Sequence, residues 1–261
     1  MFLSSVVLIL QEILEAALLV SVLLAFTRVN HMKPYWMIVG LGGGCLGALV
    51  LSLYMGAVSE WFDYVGQEVV NASMQYGIAL CLALFSFCYL LDRPGLRGWL
   101  LLFMALSVVL SLTREGAEIF IYIEGVLSQP PHIRPTLTGA GIGAGIGISV
   151  GVLLYYGLLG LPKNWVKTCC IVLLAMIAGN MSAQATQLLT QADWLPATGT
   201  IWDSSKLLPE SSIPGHLLYA LIGYEATPSL LQGIAYLTGI LLVMLLAWLG
   251  YMRNTQALTR T

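Results

Sequence analysis

The stretch "LTREGAEIFIYIEG", Leu112 to Gly125, decides the fold, because it sets Arg114, Glu115 and Glu118 inside an otherwise apolar run. Read as a loop, it splits its surroundings into Trp99–Leu112 and Ile119–Ile123, each too short to cross a membrane. A hydrocarbon core about 30 Å thick takes roughly 20 residues of helix. Read as helix, it completes one span from Trp99 to Leu127 with charges in its interior. The stretch "LILQEILEAALL", Leu8 to Leu19, poses the same choice: Phe2–Leu10 and Ala16–Phe26 join only if Gln11, Glu12 and Glu15 lie within the membrane.

Composition favours the helical reading. Of 261 residues, 58% are hydrophobic and only 9% charged, which places the chain in the integral membrane class. The net charge of -2 is uninformative, and no basic patch points to nucleic acid, so no nucleic-acid partner is expected. Met1, Phe2 and Leu3 enter the first apolar run without a basic leader, so that run is expected to be retained rather than cleaved. Cys45, Cys81, Cys88, Cys169 and Cys170 sit in apolar runs without C-x-x-C spacing, the pattern of packed, reduced thiols.

Seven spans are expected: Phe2–Phe26, Tyr35–Ala57, Ala72–Leu91, Trp99–Leu127, Gly139–Leu161, Val166–Leu189 and Ile234–Tyr251. Lys and Arg mark cytoplasmic connections. Arg28 and Lys33 follow the first span, Arg93 and Arg97 the third, Lys163 and Lys167 the fifth, and Arg253 and Arg260 the last. The opposite side has only Arg134 and Lys206. The N-terminus is therefore expected outside and the C-terminus in the cytoplasm. The acidic connection with Glu60, Asp63 and Glu68, and the segment Gln191–Gln232, then face outward.

A shift of 103 positions (114 less 11) lays "QEILEA" at Gln11 on "REGAEI" at Arg114 and matches both glutamates. The glycine-rich "GLGGGCLG" and "GAGIGAGIG" of the second and fifth spans correspond as well. Three spans per half give the halves opposite topology, as in secondary transporters with a midplane site. The expected fold is an all-α polytopic membrane protein with seven transmembrane helices, an inverted 3+3 repeat plus one C-terminal helix. Its single membrane domain, 1–261, divides into repeat one (1–91), repeat two (98–190), an extracytoplasmic segment (191–232) and a last helix (233–252). The glycines alone read as close helix packing. Gly42, Gly44 and Gly47 spell G-x-G-x-x-G, but no strand precedes them, so they do not indicate a dinucleotide site.

A charged side chain at the centre of a membrane helix costs about 2.5–3.5 kcal/mol on insertion scales. Positions i and i+3 share a helix face, so Glu12 pairs with Glu15 and Glu115 with Glu118, while Arg114 neighbours Glu118 at i+4. If the two helices cross, four negative charges and one positive share one interior, a formal total of -3. A structural network fixing helix register is one reading of these charges. A buried surplus is expensive, however, and suits a cation or a proton. Carboxylate oxygens are hard ligands, suited to magnesium, calcium, manganese and iron. His31, His132 and His216 lie in connections, which argues against zinc or copper. Glu124 lies nearer the outer end of its span, as either a ligand on the way in or a snorkelling surface group. Two further readings stay open: a proton-coupled carrier of another cation or small solute, and an intramembrane hydrolase with a glutamate base. The hydrolase would need a histidine-held metal or a nucleophile with a base, and neither appears within the spans. The chain is thus expected not to be an enzyme, with no catalytic or cofactor-binding residues.

The two motifs, the second in the full form "REGAE", resemble the R-E-x-x-E signature of the oxidase-dependent iron permeases, which comprise fungal high-affinity iron permeases and bacterial ferrous-iron permeases. The segment "IWDSSKLLPESSIPGHLLYALIGYEATPSLLQGIAYL", Ile201–Leu237, is similar to that family's pre-terminal region and last helix. The resemblance implies iron import across the plasma (inner) membrane through Glu12, Glu15, Glu115 and Glu118, with Arg114 in support. It implies no cofactor, the iron ion (Fe2+ or Fe3+) being cargo, and an extracytoplasmic oxidase or iron-delivery protein as partner beside the lipid bilayer. Gln11 stands where the family usually has arginine. Glu68 resembles the family's acidic residue ahead of the third span, with Val69 replacing the usual glycine. Asp203, Glu210 and Glu225 lie in the outward segment, as a solvated surface or as residues that collect metal.

Overall fold

The computed structural model describes residues 2–91, 94–127, 133–209 and 212–258. Arg93, His132, Glu210 and Arg260 lie outside the described residues, as does the side chain of His216. In lipid every backbone polar group must be satisfied within its own segment, which favours helix throughout. The elements are α1 (Phe2–Val29), α2 (Tyr35–Ser59), α3 (Gly66–Leu91), α4 (Arg97–Leu127), α5 (Ile133–Leu159), α6 (Lys163–Gln191), α7 (Ile213–Ile222) and α8 (Leu230–Leu258). All but α7 are long and apolar enough to cross a membrane, seven among the described residues. Both charged stretches are helical, so α1 and α4 run unbroken through Glu12, Glu15 and Arg114–Glu118.

Several helices run past their expected bounds, α5 from Ile133 rather than Gly139 and α8 from Leu230 to Leu258 rather than Ile234 to Tyr251, and two further differences shape the fold. α3 starts at Gly66, not Ala72, which puts Glu68 in its first turn, where a carboxylate complements the helix dipole. The chain reaches that start through Phe62, Asp63 and Tyr64, whose left-handed φ values of 52°, 62° and 71° make Trp61–Tyr64 a tight turn. Secondly, the segment 191–232 is not all surface. Its α7 is capped by the Ser212 hydroxyl, which accepts from Gly215 N at 3.1 Å, and ends at left-handed Gly223 (φ 67°). Leu217 and Ala220 of α7 pack on Leu14 and Leu18 of α1. Asn180 of α6 donates to Tyr219 O at 3.1 Å, and Tyr236 of α8 donates to Ile222 O at 2.5 Å. This ten-residue apolar helix is too short to cross a membrane and packs against α1, α6 and α8.

Two glycine seams bring the charged helices into place. A Cβ on α5 at Gly139 or Gly143 would lie 2.6 Å from Phe2 O or 2.5 Å from Val6 O, so α5 rests directly on the α1 backbone. On α2, a Cβ at Gly40 would lie 3.0 Å from Val108 and one at Gly44 2.5 Å from Leu112, which seats α2 on α4. Small residues that admit close backbone approach are how membrane helices associate without a hydrophobic drive. The glycines of the G-x-G-x-x-G triplet thus belong to a helix that packs on another helix.

Beyond Glu15 toward Val29, the interior is mainly apolar. Val22, Leu23 and Phe26 of α1 meet Ile78, Leu82 and Phe85 of α3, with Met104 and Val108 of α4 and Leu174 of α6. Phe26 stacks edge-on against Phe85 at 5.0 Å between centroids. This apolar plug closes one side of the charged cluster.

Candidate functional site

Helix geometry alone brings the two motifs to one depth. Glu15 lies about 20 Å from the start of α1 at Phe2, and Arg114 about 20 Å from the end of α4 at Leu127, at 1.5 Å per residue. α1 and α4 run antiparallel, and near the Phe2 end of α1 and the Leu127 end of α4 Ser5 Oγ and Tyr122 OH form a hydrogen bond of 2.7 Å. Where they cross, Arg114 Nη2 donates to Glu15 Oε2 at 2.9 Å and also to Glu115 Oε1. Arg114 Nη1 stands 3.7 Å from Glu118 Oε1, which also accepts from Asn71 Nδ2 at 3.4 Å. Glu12 stands near enough to Glu115 for the two carboxyl groups to interact across the interface. Two ionised carboxylates have no hydrogen to share, so a proton or a cation is what joins such a pair.

Burial is graded across the cluster. The side chains of Glu15 and Glu115 are 3% and 2% exposed and that of Arg114 8%, while Glu118 is 32% exposed. Among the described residues two buried polar atoms here have no conventional hydrogen-bond partner, Arg114 Nε and Glu115 Oε2. The guanidinium sits among the carboxylates it neutralises in part. Among the described residues no three His, Cys, Asp or Glu side chains are gathered closely enough to hold a metal ion. As it stands, the cluster is organised around Arg114.

A cavity of about 220 Å³ opens beside the cluster, lined by Gln11, Glu12, Glu15, Gln75, Arg114, Glu118, Gln184, Gln187, Leu188, Gln191 and Tyr219. It extends toward the Gln191 end of α6, away from the apolar plug. Sequence reasoning placed Gln11, Glu12, Glu15, Arg114 and Glu118 here, saw Ser182, Gln184 and Gln187 only as scattered polar residues of the sixth span, and missed Gln75, Gln191 and Tyr219 of the lining and Asn71 beside Glu118. Their signal is present in the sequence: Gln184, Gln187 and Gln191 fall at i, i+3 and i+7 on one face of α6, and Asn71 and Gln75 at i and i+4 on α3. Ser182 points elsewhere, donating to Ala178 O at 2.8 Å beside Gly239 of α8.

Other candidates stand apart. Glu68 is half-buried and Glu124 exposed, and neither lines the cavity. Exposed Asp203 accepts from Ser205 N at 3.0 Å and Oγ at 2.5 Å, which holds its carboxyl below the usual range. Glu225 accepts from Gln232 Nε2 at 3.0 Å. His31 is exposed, and all five cysteines are free thiols.

The chain matches the family described as "Iron permease FTR1 family" over residues 97–258. A ferrous iron permease EfeU of Escherichia coli O6:H1 (strain CFT073) is 26% identical over 249 residues, covering 85% of this chain and 86% of that protein. The ferrous iron permease EfeU of Escherichia coli O157:H7 is 24% identical over 245 residues, covering 84% and 86%. That of Shigella flexneri is 28% identical over 140 residues, covering 53% and 58%. No solved structure matches. With 162 of its 261 residues inside the family match (258 less 97, plus one), from the "REGAE" helix through α8, the chain belongs to the iron permease FTR1 family.

Proposed function

We propose that this protein imports iron across the plasma (inner) membrane through the carboxylate cluster between α1 and α4. The observation that carries the reading is Arg114 held among Glu15, Glu115 and Glu118, with a polar cavity beside it and an apolar plug on the far side. The formal charge of -3 becomes -1 with a divalent ion and 0 with a trivalent one. The guanidinium acts as a tethered counter-ion. An arriving ion meets Glu118 first, the most exposed carboxylate, and exchanges hydration oxygens for carboxylate oxygens as Arg114 withdraws. When Arg114 returns it competes for the same oxygens, so the ion can leave.

The N-terminus lies outside and the C-terminus in the cytoplasm, and the cavity faces outward. The distribution of Lys and Arg supports this orientation. The two halves form an inverted repeat. Supporting that reading, exchanging spans one, two and three with four, five and six turns the α1–α5 pairing into α4–α2, and α3–α4 into α6–α1; all four pairings occur. An extracytoplasmic oxidase or iron-delivery protein would present the ion at the outer mouth.

A cavity of 220 Å³ holds about seven waters' worth of volume, enough for an ion and its hydration shell but below the 300–1,000 Å³ usual for organic ligands. The Glu12–Glu115 pair is the feature that favours the alternative, a proton-coupled carrier of another cation or small solute. The test is radiolabelled iron uptake into liposomes containing the purified protein, with and without ascorbate, for wild type, Glu15→Gln and Glu118→Gln. Uptake lost in both variants is expected. Wild-type rates in both would sink the site assignment, and proton flux without iron uptake would select the alternative.

A further inference from the structure

Gln75 of α3 and Gln184 of α6 are 0% and 7% exposed, an unusual depth for amide side chains among membrane helices. They join the cluster in a fixed order. A carboxylate only accepts, so Gln184 turns Nε2 toward Glu15, 3.4 Å from each oxygen. Its Oε1 is thereby directed away and accepts from Gln75 Nε2 at 2.6 Å. Gln75 is then left with its own Oε1, which is buried without a hydrogen-bond partner among the described residues. An orphaned buried acceptor is costly, and each such group calls for an explanation. Gln75 lines the same cavity as Glu12, Glu15 and Glu118.

We propose that Gln75 Oε1 is a neutral oxygen ligand for the transported cation, with Gln184 the residue that positions it. The proposal rests on the carboxylate-site reading and deepens it. Hard divalent ions take about six oxygens, and a site built from carboxylates alone would hold the ion too strongly to release it. An amide oxygen adds coordination without adding charge. A cation on Gln75 Oε1 also polarises its N–H toward Gln184, and Gln184 in turn toward Glu15. That strengthens the hold on Glu15 from the amide side while Arg114 withdraws.

The test is iron(II) uptake into liposomes, with KM and maximal rate measured separately, for wild type, Gln75→Leu, Gln184→Met, their double variant, Gln75→Glu and Glu15→Gln. Losing a ligand to a charged species should raise KM about tenfold in Gln75→Leu. Gln184→Met should give a similar rise, with little added in the double variant, because both remove one relay. Gln75→Glu restores an oxygen and a tight KM but slows turnover. A fall in maximal rate with unchanged KM would mean that the amides only pack α3 on α6, and would overturn the proposal. So would wild-type KM in both single variants with Glu15→Gln inactive, an outcome that leaves the carboxylate site standing. Wild-type uptake in Glu15→Gln would instead remove the reading on which the relay rests. Should Gln75→Leu aggregate on size exclusion, Gln75→Asn, which withdraws the oxygen by one methylene, is read against the same criterion.

Discussion

Replacing Arg114 by glutamine removes the cation around which four carboxylates are arranged. The guanidinium is 8% exposed and bonds Glu15 and Glu115, themselves 3% and 2% exposed, so solvent screens little of what is lost. Removing one partner of a buried ion pair costs about 3–5 kcal/mol, because the other charge is left uncompensated. At roughly 2–4 °C per kcal/mol for chains approaching this size, the melting temperature should fall by about 6–20 °C. The assay is tryptophan fluorescence of the detergent-purified protein during heating, first in chelator and then with manganese(II) or iron(II). A cation that replaces the guanidinium stabilises the folded state by mass action, about 2.7 kcal/mol at a hundredfold excess over Kd. The variant should therefore regain more of its melting temperature from added metal than the wild type gains. A metal-free variant melting within about 2 °C of wild type, with no response to metal, would refute the argument that Arg114 is the counter-ion of the cluster.

Gly143→Val should destabilise the α1–α5 seam by about 1–3 kcal/mol, since its Cβ would start 2.5 Å from Val6 O. Gly141→Val is the control, because a Cβ there meets nothing within 4 Å, and equal melting temperatures for the two would argue against the seam. Gln11→Arg should fold and remain in the membrane, because Gln11 is half-buried and lines a cavity of about 220 Å³. By changing the formal charge from -3 to -2 it should raise the KM for iron while preserving uptake; loss of folded protein would show that Gln11 packs differently.

The long helices are legible because lipid leaves the backbone little choice, and only an unbroken helix through Arg114–Glu118 completes the fourth span. α7 is harder to see. "IPGHLLYALI" is too short to span, and its Ser212 cap, Pro214 and terminal Gly223 read equally well as a surface helix in a loop. Its depth follows from partners distant in sequence, Leu14, Leu18, Asn180 and Tyr236, which no local pattern announces. The early start of α3 has the same origin: a left-handed turn at Phe62–Tyr64 lets the helix begin at Gly66, and none of those three residues is a glycine that would advertise it.

The site divides along the same physical line. A buried carboxylate is conspicuous in an apolar run because its charge is so costly there, and Glu12, Glu15, Glu115 and Glu118 stand out without any structure. An amide costs much less, so Gln75, Gln184, Gln187 and Gln191 pass as ordinary polar interruptions until a cavity is seen between them. Their directions matter more than their number. Glu15 orients Gln184, Gln184 orients Gln75, and the one oxygen left over is an acceptor. A network built only to hold helices together would gain by pairing that oxygen. The neutral side of the cluster thus retains an unused acceptor on the cavity, which is what a site that must accept and then release a hydrated cation requires.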